Sequence, residues 1–168
     1  MITDIKKDEY GIEGKVKFNL FDAEIDVSMD DDVSIEYAEK CAEHMNNLSD
    51  EMLEKICESA KRYCLFMIEE WDLVGEWEEI SEDMTIEVSE DTPARELLKA
   101  IYPTVLIIDS PEDTCCGYHI ECECDWEPEH GLEITIRDDK VVYIGQFADS
   151  SPWQEYDENN ECNFVNSI

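Results

Sequence analysis

The sequence has few positive charges. Only 12 of its 168 residues are Lys or Arg, against 45 Asp and Glu, and the formal net charge is −33 at pH 7. A surface this negative repels phosphate backbones and anionic lipid headgroups. We therefore expect neither nucleic acid nor a membrane surface as a partner.

Long apolar runs are also missing. The longest ones, residues 64–68 and 104–108, are far shorter than the roughly 20 residues that a membrane-spanning helix needs. Residues 1–8 carry Lys and Asp and lack the apolar core of a signal peptide. We therefore expect a cytoplasmic protein, in which the eight cysteines are reduced thiols that serve mainly as small core residues.

Common enzyme signatures are absent, including Gly-x-Gly-x-x-Gly, a P-loop and His-Glu-x-x-His. Zinc needs ligands that converge tetrahedrally, whereas the period of a strand turns Cys122 and Cys124 to one face and His119 to the other. We therefore predict no catalytic residue, no metal and no cofactor. The alternative is a small metal-dependent enzyme or sensor that uses Glu129 and the soft ligands of residues 115–130, namely Cys115, Cys116, His119, Cys122, Cys124 and His130.

Apolar and polar residues alternate in two parts of the chain, and this period predicts strands. In the first part, residues 15–20 and 24–29 form a β-hairpin. In the second, residues 116–148 form a three-stranded antiparallel meander, in which the turn at 127–131 follows the first strand. A buried strand at 105–108 leads into this meander.

In the middle of the chain, apolar residues recur at the spacing of a helix. Ser34 caps a helix that ends near Asn46, and Ser49 caps a longer helix that runs to about Trp71. The acid-rich stretch that follows is predicted as a loop with a short strand at 84–88, before a short helix at 95–101. The apolar stripe of the long helix predicts core packing and comprises Leu53, Ile56, Cys57, Ala60, Cys64, Met67 and Trp71.

This order of elements predicts one α+β domain over residues 1–168. We expect an antiparallel sheet, built from the N-terminal hairpin and the C-terminal meander, with the helices packed on one face. Residues 150–168 form either a docked irregular segment or a partly disordered tail. The expected divisions are a hairpin (1–32), a helical segment with an acidic loop (34–101), the meander (104–149) and the tail (150–168).

Residues 125–132, Asp-Trp-Glu-Pro-Glu-His-Gly-Leu, precede a strand and then Val-Tyr-Ile-Gly at 142–145. This pattern resembles the Trp-Asp-x-Glu-His-Gly signature of a family of uncharacterised bacterial domains, mostly small cytoplasmic proteins, some of which are found beside contact-dependent or secreted toxins. The resemblance covers about residues 104–149. Its Asp precedes the Trp instead of following it, so no role of that acid is carried over. The motif residues are Asp125, Trp126, Glu129, His130 and Gly131.

Trp126 and Gly131 are interpreted as structural residues, because a large aromatic at an inward position fills core and glycine permits a tight turn. Glu129 and His130 are then the exposed members of the motif. A Glu-His turn of this kind more often caps backbone amides than performs acid-base catalysis.

Acidity is concentrated in the C-terminal part. Residues 63–168 hold 28 acids and four basic residues, and residues 63–94 hold eleven acids without Lys or Arg. Charge runs are commonly a solvated loop, and adaptation to high salt also favours acids. A surface with a negative electrostatic potential and aromatic side chains, however, is typical of one that binds a cationic protein. The predicted partner-binding residues are Glu69, Glu70, Trp71, Glu76, Trp77, Glu78, Glu79, Glu121, Glu123, Glu127, Glu129 and Trp153.

Charge and resemblance together favour an acidic binding protein over an enzyme. The most concrete expectation is an immunity protein that neutralises a basic toxin domain, possibly a nuclease whose nucleic-acid cleft the acidic face fills. A structural or regulatory module without a toxin partner is a further alternative.

Overall fold

The computed structural model describes residues 1–7, 11–157 and 159–166. These residues form one seven-stranded sheet, three α-helices and two short 3-10 helices. In chain order the elements are β1 (Thr3–Lys7), β2 (Ile12–Phe18), a 3-10 helix (Asn19–Phe21), β3 (Ala23–Met29), α1 (Ile35–Met45), α2 (Asp50–Val74), α3 (Trp77–Asp83), a 3-10 helix (Ala94–Ala100), β4 (Ile101–Ile108), β5 (Gly117–Cys124), β6 (Leu132–Arg137) and β7 (Lys140–Gly145).

The strands lie side by side in the order of the chain, from β1 at one edge to β7 at the other. All neighbours are antiparallel except β3 and β4, which run parallel and pair Val27 with Leu106. The helices between these two strands provide the long crossover that a parallel pair requires. The α+β prediction is therefore confirmed, but the sheet is mostly rather than wholly antiparallel.

The meander forms as its alternation predicts. Ile120 pairs with Ile134, and the next residue towards the N-terminus, His119, pairs with Thr135. Because successive side chains of a strand point to opposite faces, this register divides the residues of β5 between the two faces. Tyr118, Ile120 and Cys122 lie on one face, which we call the Ile120 face, and His119, Glu121 and Glu123 lie on the other, the His119 face.

The two long helices begin where the sequence predicts. Ser34 Oγ accepts a hydrogen bond from the Tyr37 N–H at 3.1 Å, and Ser49 Oγ accepts one from the Met52 N–H at 3.2 Å. These caps satisfy N–H groups that have no partner within the helix. The buried residues of the two helices are Ala38, Cys41, Ala42, Met45, Met52, Ile56, Cys57, Ser59, Ala60, Tyr63 and Cys64.

Aromatic contacts join these helices to the meander. His44 Nδ1 of α1 lies 2.9 Å from the Tyr118 hydroxyl of β5. In α2, the Tyr63 ring packs edge-on against Trp126 with centroids 6.1 Å apart, and its hydroxyl donates to Gly131 O at 3.2 Å. Of the predicted α2 stripe, Ile56, Cys57, Ala60 and Cys64 are buried and confirm its core role, whereas Leu53, Met67 and Trp71 are partly buried.

Residues 77–88 differ from the prediction. Residues 77–83 form α3, and no strand forms at 84–88. Met84, Ile86 and Val88 do pack against the core, but the Thr85 N–H donates to the side chain of Asp125 at 2.7 Å. The Asp125 carboxylate thus accepts a hydrogen bond from a backbone N–H that would otherwise pair with a neighbouring strand. Apolar and polar residues do alternate here, but the predicted strand is wrong.

β1 was not predicted. All five of its residues are exposed, and its sequence Thr-Asp-Ile-Lys-Lys lacks a buried alternating face. β1 is an edge strand that pairs only with β2, through an irregular register between Thr3 and Lys6. Backbone pairing rather than side-chain burial defines it.

The tail is docked over its described residues. Residues 146–156, which we call the strap, cross the His119 face of the meander. The Tyr156 ring stacks on Tyr143 with centroids 5.8 Å apart, and the Trp153 ring lies so close to Gly117 that a side chain at that position would clash with it. The strap therefore covers a face that the alternation alone predicts to be wet.

Candidate functional site

Three large apolar side chains are exposed near the end of α2. Leu73 is 79% exposed, Val74 65% and Phe66 44%. Phe66 and Leu73 lie on the side of α2 opposite the buried stripe, whereas Val74, three residues after Trp71 and seven after Met67, continues the stripe past its last partly buried residue. The position of Phe66 and Leu73 off the stripe is a sequence signal for binding residues that the predicted set does not include.

The charges at the end of α2 oppose its own dipole. The C-terminus of a helix carries a partial negative charge, which favours Lys or Arg in the last turn. The last turn of α2 contains no basic residue, and Glu70 and Asp72 lie in it or beside it. Gly75, with φ +81°, then ends the helix. Nothing within this turn neutralises the negative charge that gathers there.

α3 extends the same surface. It begins at Trp77, which is partly buried, and its acids Glu78, Glu79, Glu82 and Asp83 are exposed. We define the α2–α3 surface as the exposed residues of this region: Phe66, Glu69, Glu70, Asp72, Leu73, Val74, Glu76, Glu78, Glu79, Glu82 and Asp83. It combines apolar side chains with a single sign of charge.

Trp71 anchors this surface to the sheet. Its Nε1 donates a hydrogen bond of 3.0 Å to the backbone oxygen of Trp126, in the turn that follows β5. The ring is partly buried, so its polar atom is used within the protein. Trp71 therefore positions the end of α2. The exposed apolar side chains beside it are Leu73 and Val74.

A cleft of about 560 Å³ continues the acidic region beyond α3. Asp83, the last residue of α3, lines it together with Tyr102 and the predicted binding residues Glu121, Glu123 and Glu129. Glu121 is half-buried, and burial together with the nearby Glu133 carboxylate raises its pKa. The cleft thus holds carboxylates that repel one another, which favours a cationic occupant.

Glu127 also lines the cleft, but its side chain is only 4% exposed. Its Oε1 accepts hydrogen bonds from the N–H groups of Glu129 at 3.0 Å and His130 at 3.2 Å, so the carboxylate caps the turn. Gly131 has φ +66° and leaves no room for a side chain beside the Cys122 carbonyl, which explains the glycine at this position.

The remaining motif residues lie where the sequence analysis predicts. Trp126 is fully buried, and Glu129 and His130 are exposed. Trp153, by contrast, is not brought together with Trp71. It contacts Gly117 at the start of β5, whereas Trp71 contacts the turn after the end of β5.

His119 is buried and lies near three carboxylates, an arrangement that no pattern in the sequence predicts. Its Nδ1 is 3.4 Å from Glu133 Oε1, and its Nε2 is 3.7 Å from Asp109 Oδ1 and 4.0 Å from Asp149 Oδ1. Burial acts to lower the pKa of His119, but the Asp109 and Glu133 carboxylates outweigh burial and raise it to about 9. The imidazole is therefore charged at neutral pH.

Glu133 ties this cluster to the strap. The carboxylate is fully buried and accepts hydrogen bonds from the N–H groups of Ala148 at 2.8 Å and Ser150 at 2.9 Å. Although burial acts to raise the pKa of Glu133, His119 and the Ala148 N–H stabilise its charged form and lower it. The cluster is closed off by the strap and holds it in place, which is a structural role.

The cysteines of residues 115–130 do not converge on His119 or His130. Over the part of the chain that the structure describes, no group of three or more His, Cys, Asp or Glu side chains is arranged to hold a metal ion. Elsewhere, burial raises the pKa of Cys41 to about 12 and that of Cys57 to about 11. These two thiols are therefore protonated at neutral pH.

Residues 1–151 match the model of the family described as "Domain of unknown function (DUF6985)". The chain belongs to this family. The match spans all seven strands and ends within the strap, so residues 152–168 lie outside it. No curated protein and no solved structure matches the sequence.

The helices also bear on membrane association. None of the helices in the described residues is both long and apolar enough to cross a membrane. Even α2, with 25 residues, carries charged side chains along its length.

Proposed function

We propose that the protein binds a cationic protein partner through the α2–α3 surface and the adjoining acidic cleft. The observation that carries this proposal is the exposure of Phe66, Leu73 and Val74 within a stretch, residues 63–94, that has eleven acids and neither Lys nor Arg. Exposed apolar side chains grouped among charges of one sign are typical of an interface rather than of a solvated loop.

Electrostatic attraction and the burial of apolar side chains affect different steps of binding. The negative field attracts a cationic surface and raises the association rate, an effect that salt screens over about 8 Å at physiological ionic strength. Burial of Leu73 and Val74 then slows dissociation, because each fully buried aliphatic side chain contributes about 1.5–3 kcal/mol. A Lys or Arg side chain of the partner would also supply the positive charge that the last turn of α2 lacks.

The most concrete form of this function is an immunity protein that neutralises a basic toxin in a toxin–antitoxin pair. The toxin could be a nuclease, because a nucleic-acid cleft is cationic and an acidic protein surface complements it. The resemblance of residues 125–145 to domains found beside toxins supports this form. We propose that the pair acts in the cytoplasm of a bacterium and that the protein itself is not an enzyme.

We also propose that both long helices pack on one face of the sheet. The contacts of His44 with Tyr118 and of Tyr63 with Trp126 support this arrangement. The other face then remains for the strap and for the acidic cleft.

A pull-down from the native cytosol at low salt tests the proposed function. The natural protein should recover one stoichiometric cationic protein. A variant with Glu76, Glu78 and Glu79 changed to Gln should recover much less, because it loses charge from the proposed interface. Leu73→Ser combined with Val74→Ser should shorten the lifetime of the complex while changing its association rate less.

The matched control changes three exposed acids elsewhere, Glu24, Glu43 and Glu112, to Gln. It removes the same net charge and should bind as the natural protein does. Equal recovery by the interface variant and the control, or no partner in any case, would remove the basis of the acidic interface.

A further inference from the structure

The two edges of the sheet are protected in different ways. An exposed edge strand invites pairing with another chain, and charged side chains or bulges normally prevent it. β1 has both protections, since it carries Asp4, Lys6 and Lys7 and its register is irregular. β7 also has an irregular register, at Val142, but it carries no charged residue after Lys140, and its remaining residues are Val-Val-Tyr-Ile-Gly.

Residues 160–165, which we call the edge cap, cover β7 instead. The amide group of Asn163 imitates a peptide of a neighbouring strand. Its Nδ2 donates to Val142 O at 2.9 Å and its Oδ1 accepts from Ile144 N at 3.3 Å. The N–H of Phe164 donates to Ile144 O at 2.8 Å. The edge cap thus engages outward-facing backbone groups of β7 that an eighth strand would engage.

Side chains of α2 hold the edge cap in position. Arg62 donates to Phe164 O from Nε at 3.0 Å and from Nη2 at 2.7 Å. The Tyr63 ring stacks on the Phe164 ring with centroids 5.0 Å apart. Gly145 has no room for a side chain beside the Cys162 carbonyl, so the edge cap lies directly on the end of β7.

The edge cap lies outside the family match, which ends at residue 151. In this chain, a segment beyond the matched residues therefore covers the β7 edge. We propose that residues 160–165 keep the chain monomeric by capping β7, and that the β7 edge without this cap pairs antiparallel with β7 of a second copy.

Charge explains why the partner is a second copy. A net charge of −33 opposes self-association over most of the surface. Beside β7, however, a groove of about 1020 Å³ carries both signs, with Lys55, Arg62 and Lys140 among Glu51, Glu54, Glu58 and Asp139. Two copies related by a two-fold axis can place the basic groups of one groove opposite the acids of the other.

The test measures mass by light scattering in 0.15 M NaCl, where repulsion between exposed charges more than about 8 Å apart is largely screened. Two variants disrupt the edge cap: a deletion of residues 160–168 removes it, and the single change Asn163→Leu removes its two amide hydrogen bonds to β7. The mass of the natural protein should be that of one chain. Each variant that keeps a cooperative melt should double in mass, and the Ile144 amide should exchange faster in monomeric Asn163→Leu diluted to low concentration than in the natural protein.

A second change separates edge pairing from other association. Val142→Lys adds a charge to the outer edge of β7 and should return the variants to the mass of one chain. If the deletion does not fold, Asn163→Leu decides, because it keeps Phe164 and Val165 in the core. A folded Asn163→Leu of unchanged mass, a natural protein that is already dimeric, or a doubled mass that survives Val142→Lys overturns the proposal.

Discussion

His119 is the one fully buried histidine, and its charge depends on two carboxylates from different strands and loops. Its pKa is raised from 6.5 to about 9 in the folded protein. A raised folded-state pKa means that the charged form stabilises the fold. This contribution is complete below about pH 6.5 and is lost as the pH rises through about 9.

We predict that His119→Gln lowers the free energy of unfolding by roughly 3 kcal/mol at pH 6, since each unit of pKa shift corresponds to about 1.4 kcal/mol. The difference between the natural protein and the variant should shrink as the pH rises from 7 to 9.5. Urea denaturation across this range measures it. His130→Gln is the matched control, because its side chain is 53% exposed and should change the stability little at any pH. A constant difference across the range would show that His119 is neutral.

The residues around His119 also show where sequence reasoning stops. Alternation correctly predicts that His119, Glu121 and Glu133 share a face, and it predicts that this face is wet. Glu121 is half-buried, but His119 and Glu133 are fully buried because the strap covers them. The cluster draws on four separate segments of the chain, at Asp109, His119, Glu133 and Asp149. No local sequence pattern therefore predicts it.

At the scale of elements, period and capping predict those parts that bury a face. The Ser49 cap and the stripe through Ile56 and Cys64 predict α2, and the alternation of residues 118–124 predicts β5. Elements without a buried face are missed, as β1 and α3 show, because their residues are mostly exposed and hydrophilic. The prediction of a strand at 84–88 is wrong for the opposite reason. Its apolar residues alternate with polar ones, but no neighbouring strand pairs with this segment.

The unfavourable charges at the end of α2 give a prediction that separates stability from function. Glu70→Lys should raise the free energy of unfolding by about 0.3–1 kcal/mol, because a cation replaces an anion near the negative end of the helix. The same change should weaken binding of the cationic partner, since it places a positive charge in the interface. Stability at a site that evolved for binding is commonly below its optimum.

Thermal melts and binding to the recovered partner measure the two effects. Glu51→Lys, in the first turn of α2, is the control. It makes the same change of charge at the positive end of the dipole and should lower the stability. If both substitutions shift the stability in the same direction, net charge rather than the helix dipole determines the result.

Over the whole molecule, the net charge of −33 lowers stability, because folding brings like charges together. We predict that raising NaCl from 10 mM to 0.5 M increases the melting temperature by about 5–10 °C, which for a chain of this size corresponds to a few kcal/mol. Calorimetry measures the shift. KCl should act as NaCl does, since screening depends on ionic strength. A melting temperature that falls with salt would show that the ion pairs of the fold outweigh the repulsion.

The parallel pairing of β3 with β4 has a consequence for synthesis on the ribosome. Asp26 pairs with Val105, about 80 residues later, so β3 waits roughly 4–16 s for its neighbour at translation rates of about 5–20 residues per second. During this interval α1 and α2 have been made, but the sheet strands that cover their buried sides have not. A nascent chain released before Ile108 therefore carries exposed helix faces and an unpaired β3, which makes this interval the period when the protein most needs a chaperone.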